Sequence, residues 1–290
     1  YLDEIIYYLG QNYKMFFKDN ENFLFNGNIN SNNKGFDEFL VSKGYKFNNI
    51  KNDVGGYVIL RNKNFSIAMD VGPTPDKKFS NFYQSGTLSF ELYFKKKKLI
   101  TNSGYFQDQK HQLHLISKST AAHSTAVVEN NSICGFKKRF NGESIIKKNV
   151  KILKKNYSQD KNKMNICASH DGYLKNYGVI HQRDLTLDDE KVSILGSDIF
   201  FVRKNNSDLN YEIRFHLNPL AKVTKTQDQN TLLIELDNSG WKFSCDNSVM
   251  DIENGLYFGN KNIFTENQNI CLYGNIFDKE KEVIWRIAKV

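Results

Sequence analysis

Proline is nearly missing from this sequence: three residues in 290, two of them in one loop at Pro73 and Pro75. Set against 18 glycines, that scarcity argues against a disordered linker protein. Cysteine is sparse as well. Cys134, Cys167, Cys245 and Cys271 lie far apart with no CxxC pair, so a zinc-finger spacing is excluded. They read as buried thiols, with one or two disulfides left open. No apolar run approaches the ~20 residues of a membrane span, and no transmembrane segment is expected. Nor is there an RNA-binding aromatic signature. Residue 1 is Tyr rather than Met, and the chain opens mid-pattern on a helix. The reading is therefore a fragment, whose lack of a signal peptide carries no information about secretion.

What is present suffices for a sizeable core. A length of 290 residues with 40% hydrophobic and 13% aromatic content suits one large all-β unit. The net charge of +8 permits a polyanionic partner, whether acidic polysaccharide, nucleic acid or an anionic membrane surface. The charge is dispersed, however, and much of it is Lys beside Asn in loops. Solubility accounts for most of it, and no nucleic-acid partner is expected.

Along the chain, Leu2, Ile5, Ile6, Leu9, Tyr13 and Phe16 follow the spacing of an amphipathic helix over Tyr1 to Phe17. Gly35 to Gly44 reads as a short helical or turn segment. After it the period changes to two. Gly56 to Asn62 and Asn64 to Asp70 form an expected hairpin. Thr87 to Phe94 alternates, with Leu88, Phe90, Leu92 and Phe94 on one side, which predicts a half-buried antiparallel strand. Lys95 to Lys98 make the turn to the next strand and read as a solvated tip. Further strands are expected at Ile145–Leu153, Met164–Ala168, Tyr177–Leu187, Lys191–Phe201, Tyr211–Leu217, Lys222–Lys225 and Thr231–Leu236. Trp241–Cys245, Val249–Ile252, Ile270–Gly274 and Glu282–Val290 complete them. Many short strands at this spacing predict an all-β fold: a large antiparallel multi-sheet β-sandwich, or supersandwich, with a short N-terminal helix.

The stretch Leu99 to Val128 organises the rest. It reads as a strand, an Asn-Ser-Gly turn, a polar excursion, then small residues around His123 that let another group approach its imidazole. Histidine suits metal binding or proton transfer near neutral pH. The ordinary alternative is a half-buried histidine bonded to a backbone carbonyl. His111 and His114, three apart in the excursion, read as surface residues. Arg214 and His216 share one strand face opposite Phe215, where they line a groove or pair with a neighbouring carboxylate.

The ordered set DVGPTP (Asp70 to Pro75), GTLSFELYF (Gly86 to Phe94), LITNSG (Leu99 to Gly104), KSTAAHSTAVV (Lys118 to Val128), SHDGY (Ser169 to Tyr173), IHQRDLTL (Ile180 to Leu187) and RFHLNP (Arg214 to Pro219) resembles the C-terminal β-domain of the heparinase II/III-like polysaccharide lyases. The resemblance covers most of the chain. It implies residues 1–27 as the last helix of a missing α/α-toroid and residues 28–290 as the β-domain. It also implies β-elimination on an acidic, uronate-containing polysaccharide, in the cell envelope or periplasm.

Such chemistry needs a base to remove the proton α to the uronate carboxylate and a group to neutralise that carboxylate. In the resembled family the β-domain supplies a His-x-His loop, an acidic residue and the AAH histidine, and several members hold a structural zinc with the last three of these. Here the AAH histidine is His123, but the loop histidines fall on Phe82 and Gln84 and the acid on Asn102. That set is poor for zinc, so no metal and no cofactor are expected. The resemblance implies catalytic candidates His123, Tyr83 and Tyr105. Gln84, Asn102, Lys118, His170, Tyr173, Arg214 and His216 are implied substrate contacts, although the Asp-Gly of SHDGY also suits a plain turn. His123 is expected on a strand beside LITNSG, close to Gln84 and Asn102. Two functions follow. One is the β-domain of a lyase-like enzyme, inactive as this fragment alone. The other is a non-catalytic carbohydrate-binding or structural sandwich that has lost the family's histidines.

Overall fold

Two large antiparallel sheets face each other across an aromatic core. The computed structural model describes residues 52–95, 97–140, 142–204, 208–227, 231–260 and 263–290. The expected N-terminal helix, the 35–44 segment and the boundary near Asn28 lie outside them.

The first sheet begins with β1 (Asp53–Val54), β2 (Tyr57–Arg61), β3 (Phe65–Asp70), β4 (Phe90–Phe94) and β5 (Lys97–Thr101) as a meander. The turn between β2 and β3 forms because Asn62 Oδ1 accepts from the Phe65 N–H at 2.7 Å and the Asn64 N–H at 3.2 Å. After β5 come a loop, the helix α1 (Gln112–Lys118), a 3₁₀ turn at Thr120–Ala122, and β6 (Ala126–Val128). A small hairpin follows, β7 (Phe136–Lys138) with β8 (Ser144–Ile146).

The second sheet is built from β9 (Ile152–Gln159), β10 (Lys163–His170), β11 (Val179–Asp188), β12 (Ser193–Val202), β14 (Lys222–Lys225), β15 (Thr231–Leu236), β16 (Ser239–Cys245) and β19 (Glu280–Lys289). Its order is β14-β15-β16-β19-β12-β11-β10-β9, and the short helix α2 (Leu174–Tyr177) joins β10 to β11. The strands β13 (Leu209–Leu217), β17 (Val249–Asn260) and β18 (Ile263–Ile276) return to the first sheet, as β5-β13-β18-β17 with β6 also on β13.

The core explains the sandwich. Trp285 of β19 stacks on Phe90 of β4 at 5.9 Å and meets Phe215 of β13 edge-on at 4.6 Å. Trp241 of β16 meets Phe94 at 4.8 Å. Each large apolar side chain so buried contributes about 1.5–3 kcal/mol. The Trp285 ring needs Gly196, its register partner on β12, since a Cβ there would lie 2.1 Å from the ring.

Several boundaries differ from the sequence reading. The Thr87–Phe94 strand starts only at Phe90, because Leu88 takes φ +66 in a turn closed by Ser89 N–H on the Gly86 carbonyl. Thr87 and Ser89, which strict alternation puts on the side opposite Leu88, are buried as well. The Ile145–Leu153 segment splits into β8 and β9, and the Tyr177–Leu187 strand begins at Val179, with Tyr177 ending α2. The hairpin β17–β18 runs well past Ile252 and starts well before Ile270. All four cysteines are free thiols.

Candidate functional site

His123 does not lie on a strand. It follows the 3₁₀ turn Thr120–Ala122, and β6 beyond it pairs with β13 rather than with β5. Small residues permit that tight turn. The Ser103 N–H holds it by donating to the Ala122 carbonyl at 2.9 Å. The expected neighbours still arrive. The loop before β4 carries Gln84 to 3.3 Å from His123 Nε2, and Asn102 Oδ1, just after β5, accepts from the Ser124 N–H at 2.8 Å. Gly86 makes this approach possible, because a Cβ there would sit 2.6 Å from the imidazole Cδ2.

The tautomer follows from the partners. His123 Nδ1 donates to the Ser119 carbonyl at 2.7 Å, so the neutral ring has an acceptor at Nε2. Gln84 Oε1 stands opposite it in the structure; with Nδ1 fixed as the donor, the hydrogen-bond network assigns the flipped amide, whose NH₂ donates to Nε2. Burial pushes His123 down to about 4, against the opposing Ser119 bond. The imidazole is therefore neutral and fully engaged at neutral pH.

A second imidazole lies behind it. His216 donates from Nε2 to the Ala121 carbonyl at 3.0 Å and accepts at Nδ1 from Ser103 Oγ at 3.2 Å. Burial pushes it down to about 3. Ser124 Oγ ties the two strands, donating to the Thr101 carbonyl at 2.6 Å and accepting from the His216 N–H at 2.9 Å.

The other residues named from the sequence scatter around this pocket. Tyr83 bonds Thr87 Oγ1 at 3.2 Å, and burial raises its phenol, with Asp70 adding to the effect. That group keeps its proton and can donate it. Tyr105, likewise raised by burial, packs edge-on against His114 at 5.3 Å. Lys118 is fully buried. Its ammonium donates to the Asn81 carbonyl and, at 3.2 Å, to that of Ser144, and burial pushes it down to about 8.

His170 and Tyr173 are fully buried too. The Gly172 N–H donates to His170 Nδ1 at 3.0 Å, and Tyr173 donates to the Ala126 carbonyl at 2.9 Å. Their polar groups thus close a turn and anchor β6. Arg214 pairs with Glu212 at 2.6 Å and Glu253 at 3.3 Å. His114, read as a surface residue, is buried, because α1 turns it inward to donate from Nδ1 to the Phe106 carbonyl at 2.9 Å.

Sequence reasoning passed over His181, Arg183 and Asp198, which are fully buried between the sheets. A signal was available. His181 and Arg183 fall on the inward set of β11 with Val179, Leu185 and Leu187, and charge in that register implies a buried partner.

His123 Nε2 faces an amide, the Asn102 oxygen is taken by Ser124, and Phe82 offers no donor. Among the described residues no three His, Cys, Asp or Glu side chains cluster as ligands.

A family model described as heparinase II/III-like, C-terminal, matches residues 49–286. The chain is similar to the FtsZ-localized protein C of Caulobacter vibrioides, 25% identical over 210 residues, which cover 68% of this chain and 36% of that protein. Among solved structures it resembles the heparan sulfate lyase HepC of Pedobacter heparinus, with TM-score 0.66 and 14% identity over 87% of this chain and 38% of that one. A heparinase III structure matches with TM-score 0.62 and 16% identity over 82% of this chain and 36% of that one. At these identities the structures speak for the fold alone. The chain spans a little over a third of the length of each of these proteins.

Proposed function

This chain belongs to the heparinase II/III-like family, as its C-terminal domain, and from that membership we propose that it is the sugar-contacting sandwich of a protein that cleaves acidic, uronate-containing polysaccharide by β-elimination. The lyases among its structural neighbours supply the substrate class for this reading. In the proposal the chain contributes the Gln84–Asn102–His123 pocket, while the base and the group that neutralises the uronate carboxylate come from an α/α-toroid of the full-length protein. The whole protein works at the cell envelope or periplasm.

One observation carries the division of labour: both ring nitrogens of His123 are held in internal bonds, and burial keeps the ring neutral. A base with so low a pKa extracts a carbon-bound proton poorly at neutral pH. The pocket's amides recognise hydroxyls and carboxylates without supplying positive charge, and Lys118 is turned inward onto carbonyls.

The second reading is a full-length protein that binds carbohydrate without cleaving it. Phe82, Gln84 and Asn102, standing where the resemblance puts two histidines and an acid, favour it. An assay separates the two. The 290-residue chain and the full-length protein are incubated with heparan sulfate and other uronate polymers, and unsaturated product is followed by absorbance. The expected result is no turnover by the 290-residue chain, binding of oligosaccharide weakened by Gln84→Ala, and turnover by the full-length protein. Robust turnover by the 290-residue chain, lost on His123→Ala, overturns the division of labour. A full-length protein that binds without cleaving selects the second reading.

A further inference from the structure

Behind the pocket, between the sheets, runs a chain of polar side chains with no exposed surface: His170, His181, Asp198 and Arg183. Its proton positions are determinate. The Gly172 N–H fills His170 Nδ1, so His170 donates from Nε2 to His181 Nδ1 at 3.4 Å. His181 donates from Nε2 to Asp198 Oδ1 at 2.7 Å. Asp198 also accepts from Arg183 Nε at 2.8 Å, Arg183 Nη2 at 3.0 Å and Trp285 Nε1 at 2.9 Å. Burial acts to raise the Asp198 carboxyl, but Arg183 and His181 outweigh it and hold it well below the ordinary carboxylate range.

The remaining guanidinium nitrogen points out of this chain. Arg183 Nη1 donates to the Ser124 carbonyl at 2.6 Å and to the Leu88 carbonyl at 3.0 Å. Those two carbonyls belong to the two walls of the pocket. Ser124 follows His123. Leu88 lies in the positive-φ turn that begins at Gly86, the residue whose missing Cβ makes room for the His123 ring.

We propose that Arg183 is the positioning residue of the His123 pocket, clamping the Gly86–Ser89 turn to the His123–Thr125 segment through one nitrogen, with Asp198, His181 and His170 holding the guanidinium at the angle the clamp requires. Stability alone gives no reason for such a group. Replacing a buried ion pair by apolar residues of similar volume is often neutral or stabilising. The planar fork supplies direction: two bonds fix it on Asp198 and the third nitrogen is thereby aimed. The proposal rests on the His123 pocket being the functional site, but its test reads the imidazole itself, and so succeeds or fails apart from any sugar binding.

The experiment is a pH titration of the His123 ring by NMR in the 290-residue chain labelled at histidine, with the His123 signal identified by its loss in His123→Gln. Opening the pocket hydrates the ring, so Arg183→Lys is expected to raise the His123 midpoint by at least about one pH unit, a tenfold change in proton affinity. The double variant Arg183→Met/Asp198→Leu removes both charges together and supplies the same readout should Arg183→Lys not fold. Ile234→Ala in β15 is the control: it lowers the melting temperature without moving the midpoint. A folded clamp variant with an unmoved His123 midpoint overturns the proposal. An equal move in the control does so as well.

Discussion

The His123 imidazole occupies the space that a side chain at residue 86 would need: a Cβ on Gly86 would stand 2.6 Å from Cδ2 and 3.1 Å from Nε2. Neither group has room to yield, because the ring is pinned to the Ser119 carbonyl and residue 86 lies in the turn that ends at Ser89.

Gly86→Ala is therefore expected to destabilise the domain by about 1–3 kcal/mol, the usual cost of overpacking. It should also displace Gln84 from the ring. Urea unfolding at neutral pH measures the first effect, and oligosaccharide titration the second. Wild-type stability in this variant would mean that the ring moves freely.

Gly196→Ala makes the corresponding test of the core. Its Cβ would meet the Trp285 ring at 2.1 Å, and that ring stacks between Phe90 and Phe243. A loss of roughly 3 kcal/mol is expected, with the near-ultraviolet circular dichroism of the tryptophan reduced. An unchanged denaturation midpoint would contradict this packing.

Acid should unfold the domain earlier than carboxylates alone would. Burial depresses His123 to about 4 and His216 to about 3, and lowers His170 and His181 as well. Depressed groups contribute stability that is present above the unfolded value of about 6.5 and lost as pH falls toward the folded values. Asp70 has the opposite sign. Burial pushes it up to about 7, so its contribution is present below about 3.9 and lost as pH rises through 7. Thermal melts of Asp70→Asn against wild type should thus show a higher melting temperature at pH 8 and little difference at pH 4. Equal differences at both pH values would sink the assignment.

Zinc capacity should return with the donors. We propose that the wild-type chain, purified without chelator, carries no stoichiometric zinc. Gln84→His/Asn102→Asp places a second imidazole opposite His123 Nε2 and a carboxylate at the position that now accepts from the Ser124 N–H, while the Ser119 carbonyl already orients the ring through Nδ1. This double variant is expected to bind one zinc per chain by metal analysis after dialysis. Absence of zinc from the variant would show that the three positions do not converge closely enough to act as ligands.

Much of this architecture was legible before folding. The alternation in Lys222–Lys225 and Thr231–Leu236 predicted β14 and β15 to the residue, because one buried face imposes a period of two. The segments around His123 and Asn102 carried the family. The long β17–β18 hairpin was legible only in part, since its outer half sets Leu256, Tyr257 and Phe258 in succession and Ile263 beside Phe264, with no alternation to read. His123 showed its surroundings of small residues, but not that Ser119 and Gln84 occupy both of its nitrogens. Arg183 and Asp198 showed their charges, but not each other. Periodicity is a local property that burial writes into each strand separately. Arg183 and Asp198 meet through the register of β11 on β12, whereas the Leu88 and Ser124 carbonyls come from loops of the other layer, and only the packing of one layer on the other brings them to 3.0 and 2.6 Å from Arg183 Nη1.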